Sequence, residues 1–157
     1  MASETKFRPR GLYFEEFEIG QTVTSPGRTI TETDVVTFAG LSGDYNQLHT
    51  DAEFAKGTMF GRRVAHGLLV LSVATGMAAQ LGFIEGTVLA FRELTWKFSR
   101  PVFMGDTVHM EAKVTELKPV PRLGGGSVIL QVAVINQDGD TVARGVWNAL
   151  IASKPVE

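Results

Sequence analysis

The chain has 157 residues, 44% of them hydrophobic and 20% charged, with a formal charge of -2 and no cysteine. That length supports one domain with a real core and excludes two full ones. The charge excludes the basic footprint that nucleic acid or an anionic membrane calls for. The missing cysteine excludes a disulfide framework, a thiol nucleophile and thiolate metal sites.

Residues 1–11 are polar, carry Arg8, Pro9 and Arg10, and read as a flexible arm ahead of a single domain over 12–157. No apolar h-region of a signal peptide is present in this stretch. With zero cysteines fitting a reducing compartment, the expected location is the cytoplasm. Two short strands are expected near Thr22–Thr24 and Arg28–Thr31, parted by the turn residues Ser25-Pro26-Gly27. TETDVVTFAGLSG then opens like a helix. Thr31 or Thr33 can cap it, Asp34 falls in the first turn, and Val35, Phe38, Ala39 and Leu41 form an apolar face closed by Gly40 and Gly43. Asp51 starts a second short helix through Ala52, Phe54 and Ala55, with Gly57 and Gly61 in the following loop.

AHGLLVLSVATGMAAQLGF is apolar almost all round, the profile of a helix buried on most sides. Polar interruptions at Ser72, Thr75 and Gln80 make it short for a membrane span. From Gly86 the period changes to two. Val88–Phe98, the alternation through Val108, Met110, Ala112 and Val114, that through Val128, Leu130, Val132 and Val134, and Val142–Ile151 read as four long strands. In the last, Val142, Val146 and Leu150 share one face and Trp147 and Ile151 the other. Turns are expected at Pro101–Asp106, Gly124-Gly125-Gly126 and Asp138-Gly139-Asp140. The order specifies an α+β fold, an antiparallel sheet curled around a central buried helix. Such a sheet leaves an open edge, which pairing across a two-fold axis removes, so a homodimer or a multiple of one is expected.

Chemistry concentrates in LSGDYNQLHTD, which places Asp44, Asn46 and His49 within six residues. Two readings compete. Asp, Asn and Gly are favoured in loops for backbone reasons alone. Yet a carboxyl and an imidazole in a tight loop can face one water, one taking a proton while the other gives one, and Asn46 can hold the loop's shape. VAHGLL adds Gly67 at the start of the apolar helix, where first-turn N–H groups are free and carry partial positive charge. An N–H there can stabilise an enolate-like oxygen, or the glycine can simply ease packing. His66 can point to solvent, pack, or bond the backbone. His109 falls on the polar face of its strand. Three scattered histidines lack metal-ligand spacing, so no metal is expected. The phosphate-binding and nucleophile-elbow patterns GxGxxG, P-loop and GxSxG are absent.

Beyond local chemistry, FAGLSGDYNQLHTDAEFA resembles the signature of the MaoC-like dehydratases, which include (R)-specific enoyl-CoA hydratases. Phe38, Ser42, Gly43, Asp44, Asn46, His49 and Ala55 match it. RRVAHGLL resembles that family's second block, and RELTWKFSRPVFMGDTV its later strand and turn. The resemblance runs from about Phe14 to Ile151. It implies a hotdog fold and reversible hydration of trans-2-enoyl-CoA to (R)-3-hydroxyacyl-CoA. Asp44 and His49 would hold and activate the water, Gly67 N–H would polarise the thioester carbonyl, and Asn46 would support the loop. His66 and Leu68 join as substrate-binding or loop-supporting residues. On this reading the acyl chain lies near Leu68 and Leu71, and Arg62 and Arg63 stand where coenzyme A phosphates can meet them. No cofactor is implied beyond the coenzyme A of the substrate. One departure stands out: Gln47 occupies the position of the family's usual Pro. The rival readings are an acyl-CoA thioesterase, which the same fold hosts, and a non-catalytic acyl-thioester binding subunit.

Overall fold

A computed structural model describes residues 8–156 of the chain. The first seven residues of the expected arm lie outside that range. Residues 8–11 are tied down: Arg8 pairs with Glu16, Arg10 with Glu85 at 2.7 Å, and Gly11 N–H donates to the Glu85 carbonyl at 2.8 Å.

The elements follow as strands β1 (Thr22–Thr24) and β2 (Arg28–Thr29) and helices α1 (Glu32–Ser42), α2 (Gln47–Thr50), α3 (Ala52–Lys56) and α4 (Gly67–Leu81). Strands β3 (Val88–Phe98), β4 (Thr107–Val120), β5 (Gly125–Ile135) and β6 (Thr141–Ala152) complete the chain. The strands form one antiparallel sheet in the order β1-β4-β5-β6-β3, with β2 also on β4. The sheet curls about α4, the hotdog architecture that the sequence led us to expect. No helix among the described residues is long and apolar enough to cross a membrane.

Local chemistry fixes the start of α1. Thr31 Oγ1 accepts from Asp34 N–H at 3.2 Å and Asp34 Oδ2 accepts from Thr31 N–H at 2.9 Å, a reciprocal cap. Burial pushes the Asp34 carboxyl up, but the Thr31 N–H, the Thr31 hydroxyl and the Arg28 guanidinium outweigh it and hold it below the usual carboxylate range. Val35 and Ala39 turn inward, whereas Leu41 is 83% exposed and does not share their face.

Alternation along β4 and β5 sends Val108, Met110, Val128 and Val134 fully into the core. There they join Val73, Ala74 and Met77 of α4. Full burial of each larger apolar side chain contributes roughly 1.5–3 kcal/mol. α4 itself is more one-sided than its composition indicates. Leu69, Val70, Val73, Ala74, Met77 and Ala78 are buried, while Leu68, Ser72, Thr75 and Gly76 face outward. The sheet covers only one side, and Ser72 and Thr75 satisfy their hydroxyls on the Leu68 and Ser72 carbonyls of their own helix.

Two expected features move. The register shift between Val134 and Ile135 places Val142 at an irregularity, so Val142 is buried although Val146, on its nominal face, is exposed. The expected three-glycine turn contracts to Gly124. Gly125 and Gly126 belong to β5, and a Cβ on Gly125 would stand 1.9 Å from the Ile151 carbonyl oxygen of β6.

Candidate active site

The stretch that carries Asp44, Asn46 and His49 forms the corner between α1 and α2. Gly43 ends α1 in the left-handed region at φ 76°. The chain then makes a tight Asx turn, in which Asn46 N–H donates to Asp44 Oδ1 at 3.2 Å. Asn46 caps α2, its Oδ1 accepting from Leu48 N–H at 3.1 Å. Gln47 takes the first position of α2, where proline is favoured because φ is preset and the N–H is an orphan. Exchanging Pro for Gln there removes stiffness without disturbing a hydrogen bond, and Gln47 does not line the cleft described below.

His49 is aimed by its own ring. Nδ1 lies 2.7 Å from the Val64 carbonyl oxygen, which can only accept, so Nδ1 carries the proton and Nε2 bears the lone pair. Nε2 faces Asp44 Oδ2 at 4.0 Å. That gap is too wide for a hydrogen bond and is the span that one bridging water fills. The imidazole is largely buried and the carboxyl about half exposed. An imidazole, a carboxyl and room for a water thus meet on the wall of a cleft.

The cleft has a volume of about 580 Å³ and is mainly apolar. Asp44, Leu48, His49, Gly67 and Leu68 line it, joined by Phe38, Met59, Phe60, Phe98 and Pro101. Gly67 opens α4. His66, its N-cap, makes no side-chain cap bond, and the Gly67 N–H has no backbone or side-chain acceptor among the described residues. A donor at a helix N-terminus therefore borders the same cleft as the Asp44–His49 pair.

Of the residues singled out in the sequence, Asp44, His49, Gly67 and Leu68 come together on the wall, and Asn46 supports the loop behind them. His66 is buried beneath His49 rather than on the wall. Leu71 packs against the core and does not reach the cleft. Arg62 and Arg63 also lie off its lining. Arg63 is held by Glu32 at 2.6 Å, and Arg62 lies over the Phe103 ring at 3.8 Å. His109 pairs with Glu111 at 3.2 Å on the outer surface. Phe98, Met59 and Pro101 were not foreseen. They arrive from a strand end and two loops, and only their apolar exposed character hinted at a ligand.

One potential ligand atom from each of Asp44, His49 and His66 lies within 4.8 Å of the others. His49 Nδ1 and His66 Nε2 are bound to backbone carbonyls, which leaves His49 Nε2 and His66 Nδ1 as the free ring nitrogens, and the two rings stack at 28°.

Residues 15–135 match the model of a family described as MaoC-like domain. The chain is 36% identical over 108 residues to Protein MaoC from Klebsiella aerogenes, covering 69% of this chain but only 32% of that protein's length. It is 40% identical over 108 residues to the (R)-specific enoyl-CoA hydratase of Rhodospirillum rubrum, covering 68% of this chain and 72% of the relative. Among solved structures, R-hydratase PhaJ1 from Pseudomonas aeruginosa superposes with a TM-score of 0.77 at 32% identity, over 92% of this chain and 88% of that one. A Mycobacterium tuberculosis protein with a double hotdog fold superposes with a TM-score of 0.82 at 23% identity, over 96% of this chain and 47% of that one, a likeness of fold alone.

Proposed function

The chain belongs to the MaoC-like domain family, and from that premise we propose that it is a hydro-lyase acting on trans-2-enoyl-CoA thioesters, giving (R)-3-hydroxyacyl-CoA reversibly. The observation that carries the reading is the 4.0 Å gap between a tautomer-fixed His49 Nε2 and Asp44 Oδ2, set beside a free helix N-terminal donor. Names borne by relatives, such as (R)-specific enoyl-CoA hydratase, support the substrate class and product hand.

In the hydration direction the thioester carbonyl oxygen sits at Gly67 N–H. Charge then builds on an oxygen that already faces a donor. A water held between Nε2 and Oδ2 adds its oxygen to Cβ as His49 takes its proton. Asp44, entering the step as the protonated acid, passes its proton to Cα from the same face, and the proton that His49 has taken then returns to Asp44. The water is thus divided between Cβ and Cα, and the two side chains share one exchangeable proton as a coupled pair. The acyl chain runs along Leu68, Phe98 and Met59. The proposed chemistry uses no metal and no cofactor, and the proposed location is the cytoplasm.

Mixing the protein with crotonyl-CoA should bleach the conjugated enoyl absorbance without releasing free thiol. Thiol release marks a thioesterase, and binding without either change marks a non-catalytic subunit. Either outcome overturns the hydratase reading.

The active unit is proposed to be a homodimer. Strand β3 ends the sheet and exposes Val88, Leu89, Phe91, Leu94 and Phe98, an apolar edge of the kind that invites pairing. Pairing two β3 edges across a two-fold axis removes both. Wild type should run as a dimer in light scattering, and Leu89→Lys with Phe91→Lys should run as a monomer. A monomeric wild type, or a double variant of unchanged mass, overturns the arrangement.

A further inference from the structure

We infer that His66 is a positioning residue, one ring that fixes the acid/base pair against itself and against the oxyanion donor. Its side chain is 2% exposed. Burying an imidazole is costly unless its polar atoms are used, and here one nitrogen has a definite task. Nε2 lies 2.9 Å from the backbone carbonyl oxygen of Asp44, 22 residues away in sequence. The carbonyl only accepts, so His66 carries its proton on Nε2. Nδ1 is buried without a hydrogen-bond partner, so it gains nothing from a proton of its own.

The second hold is a stack. The His66 and His49 rings face each other with centroids 3.8 Å apart and planes at 28°, and the Phe38 ring lies tilted against His66 at 4.9 Å. His49 therefore has its ring plane set by His66 and its in-plane direction set by the Val64 carbonyl. The third link is covalent, since His66 immediately precedes Gly67. As the N-cap of α4 it spends its side chain on Asp44 instead of on the helix's own N–H groups. This choice leaves the first-turn donors available and ties them to the loop that bears the carboxyl.

His66 does not line the cleft, so its contribution runs through Asp44, His49 and Gly67 and not through contact with the substrate. A misplacement of about 1 Å among reacting groups can cost roughly 10²-fold in rate. Removing an outer support of this sort costs about 10–100-fold in comparable metal sites.

The inference rests on the hydratase reading for its kinetic arm, and a second arm is independent of turnover. His66→Phe keeps an aromatic face but loses the N–H, whereas His66→Gln keeps an N–H donor but loses the face. With crotonyl-CoA, His66→Phe should lower kcat by about 10–100-fold with KM within about twofold, and His66→Gln should recover part of that loss. By NMR, wild type should show a proton on His66 Nε2, held by the Asp44 carbonyl. In His66→Phe the Asn46 amide, which Asp44 Oδ1 holds, should exchange faster with solvent, and in His66→Gln, which keeps a donor for the Asp44 carbonyl, the increase should be smaller. If His66→Phe does not fold, His66→Gln is judged on the same criteria. Either folded variant keeping wild-type kcat, kcat and KM failing together, or unchanged Asn46 exchange overturns the inference. A wild type that turns over no enoyl thioester removes the hydratase reading, and the NMR arm still decides on His66.

Discussion

Asp44→Asn and His49→Ala should each lower crotonyl-CoA turnover by about 10²–10⁴-fold, the range for a positioned acid/base group. Asp44→Asn is the cleaner of the two. An asparagine oxygen can still accept from Asn46 N–H, so the turn between α1 and α2 persists while the position facing His49 Nε2 becomes an amide. Its melting temperature should stay close to that of wild type. His49→Ala does two things at once. It removes the proposed base, and it leaves the Val64 carbonyl without its 2.7 Å donor. A buried acceptor stripped of its partner costs about 1–3 kcal/mol, so this variant should melt lower as well as turn over slowly. The double variant should be little slower than the worse single one, because groups that work on one water act as a unit. Steady-state rates and thermal melts of the three proteins check this. If both single variants keep wild-type rates, the pair is not the catalytic centre.

How far the sequence reveals such a site depends on the range of the contacts that build it. Asp44, Asn46 and His49 lie within six residues, so the polar turn and its Asx bond are local chemistry and legible in LSGDYNQLHTD, although the short helix α2 that carries His49 is not. The Thr31 cap of α1 and the alternation in β4 are legible for the same reason. α4 is different. When nearly every position is apolar, the 3.6-residue period carries no phase, and nothing local distinguishes Leu68, which lines the cleft, from Leu71, which does not. Gly125 reads as turn because its neighbours are glycines. It is strand because the Ile151 carbonyl passes too close for any Cβ. Phe98 and Pro101 reach the cleft only because β3 and the following turn fold across the start of α4. The bond from His66 to the Asp44 carbonyl closes a 22-residue loop that no periodicity announces.

Gly67→Pro provides the sharpest test of the oxyanion donor, because local geometry lets the helix survive it. Gly67 is the first residue of α4, the position where proline is best tolerated and where the missing N–H belongs to no intrahelical bond. His66 has φ -59° and ψ 134°, the extended conformation that a residue preceding proline requires. Proline does bring a Cβ, which would meet the Phe98 ring at 2.5 Å. That ring is 55% exposed and can swing away, so the clash reshapes the cleft wall without breaking the core. Gly67→Ala brings the same Cβ and keeps the N–H, so the ratio of the two variants cancels the Cβ contact and reports the loss of the N–H together with the ring Cδ that takes its place. Gly67→Pro should be about 10²–10³-fold slower in kcat than Gly67→Ala, the usual loss for one oxyanion-hole donor, and helical circular dichroism should match. Equal rates in the two variants would place the developing charge at some other donor and remove Gly67 N–H from the mechanism.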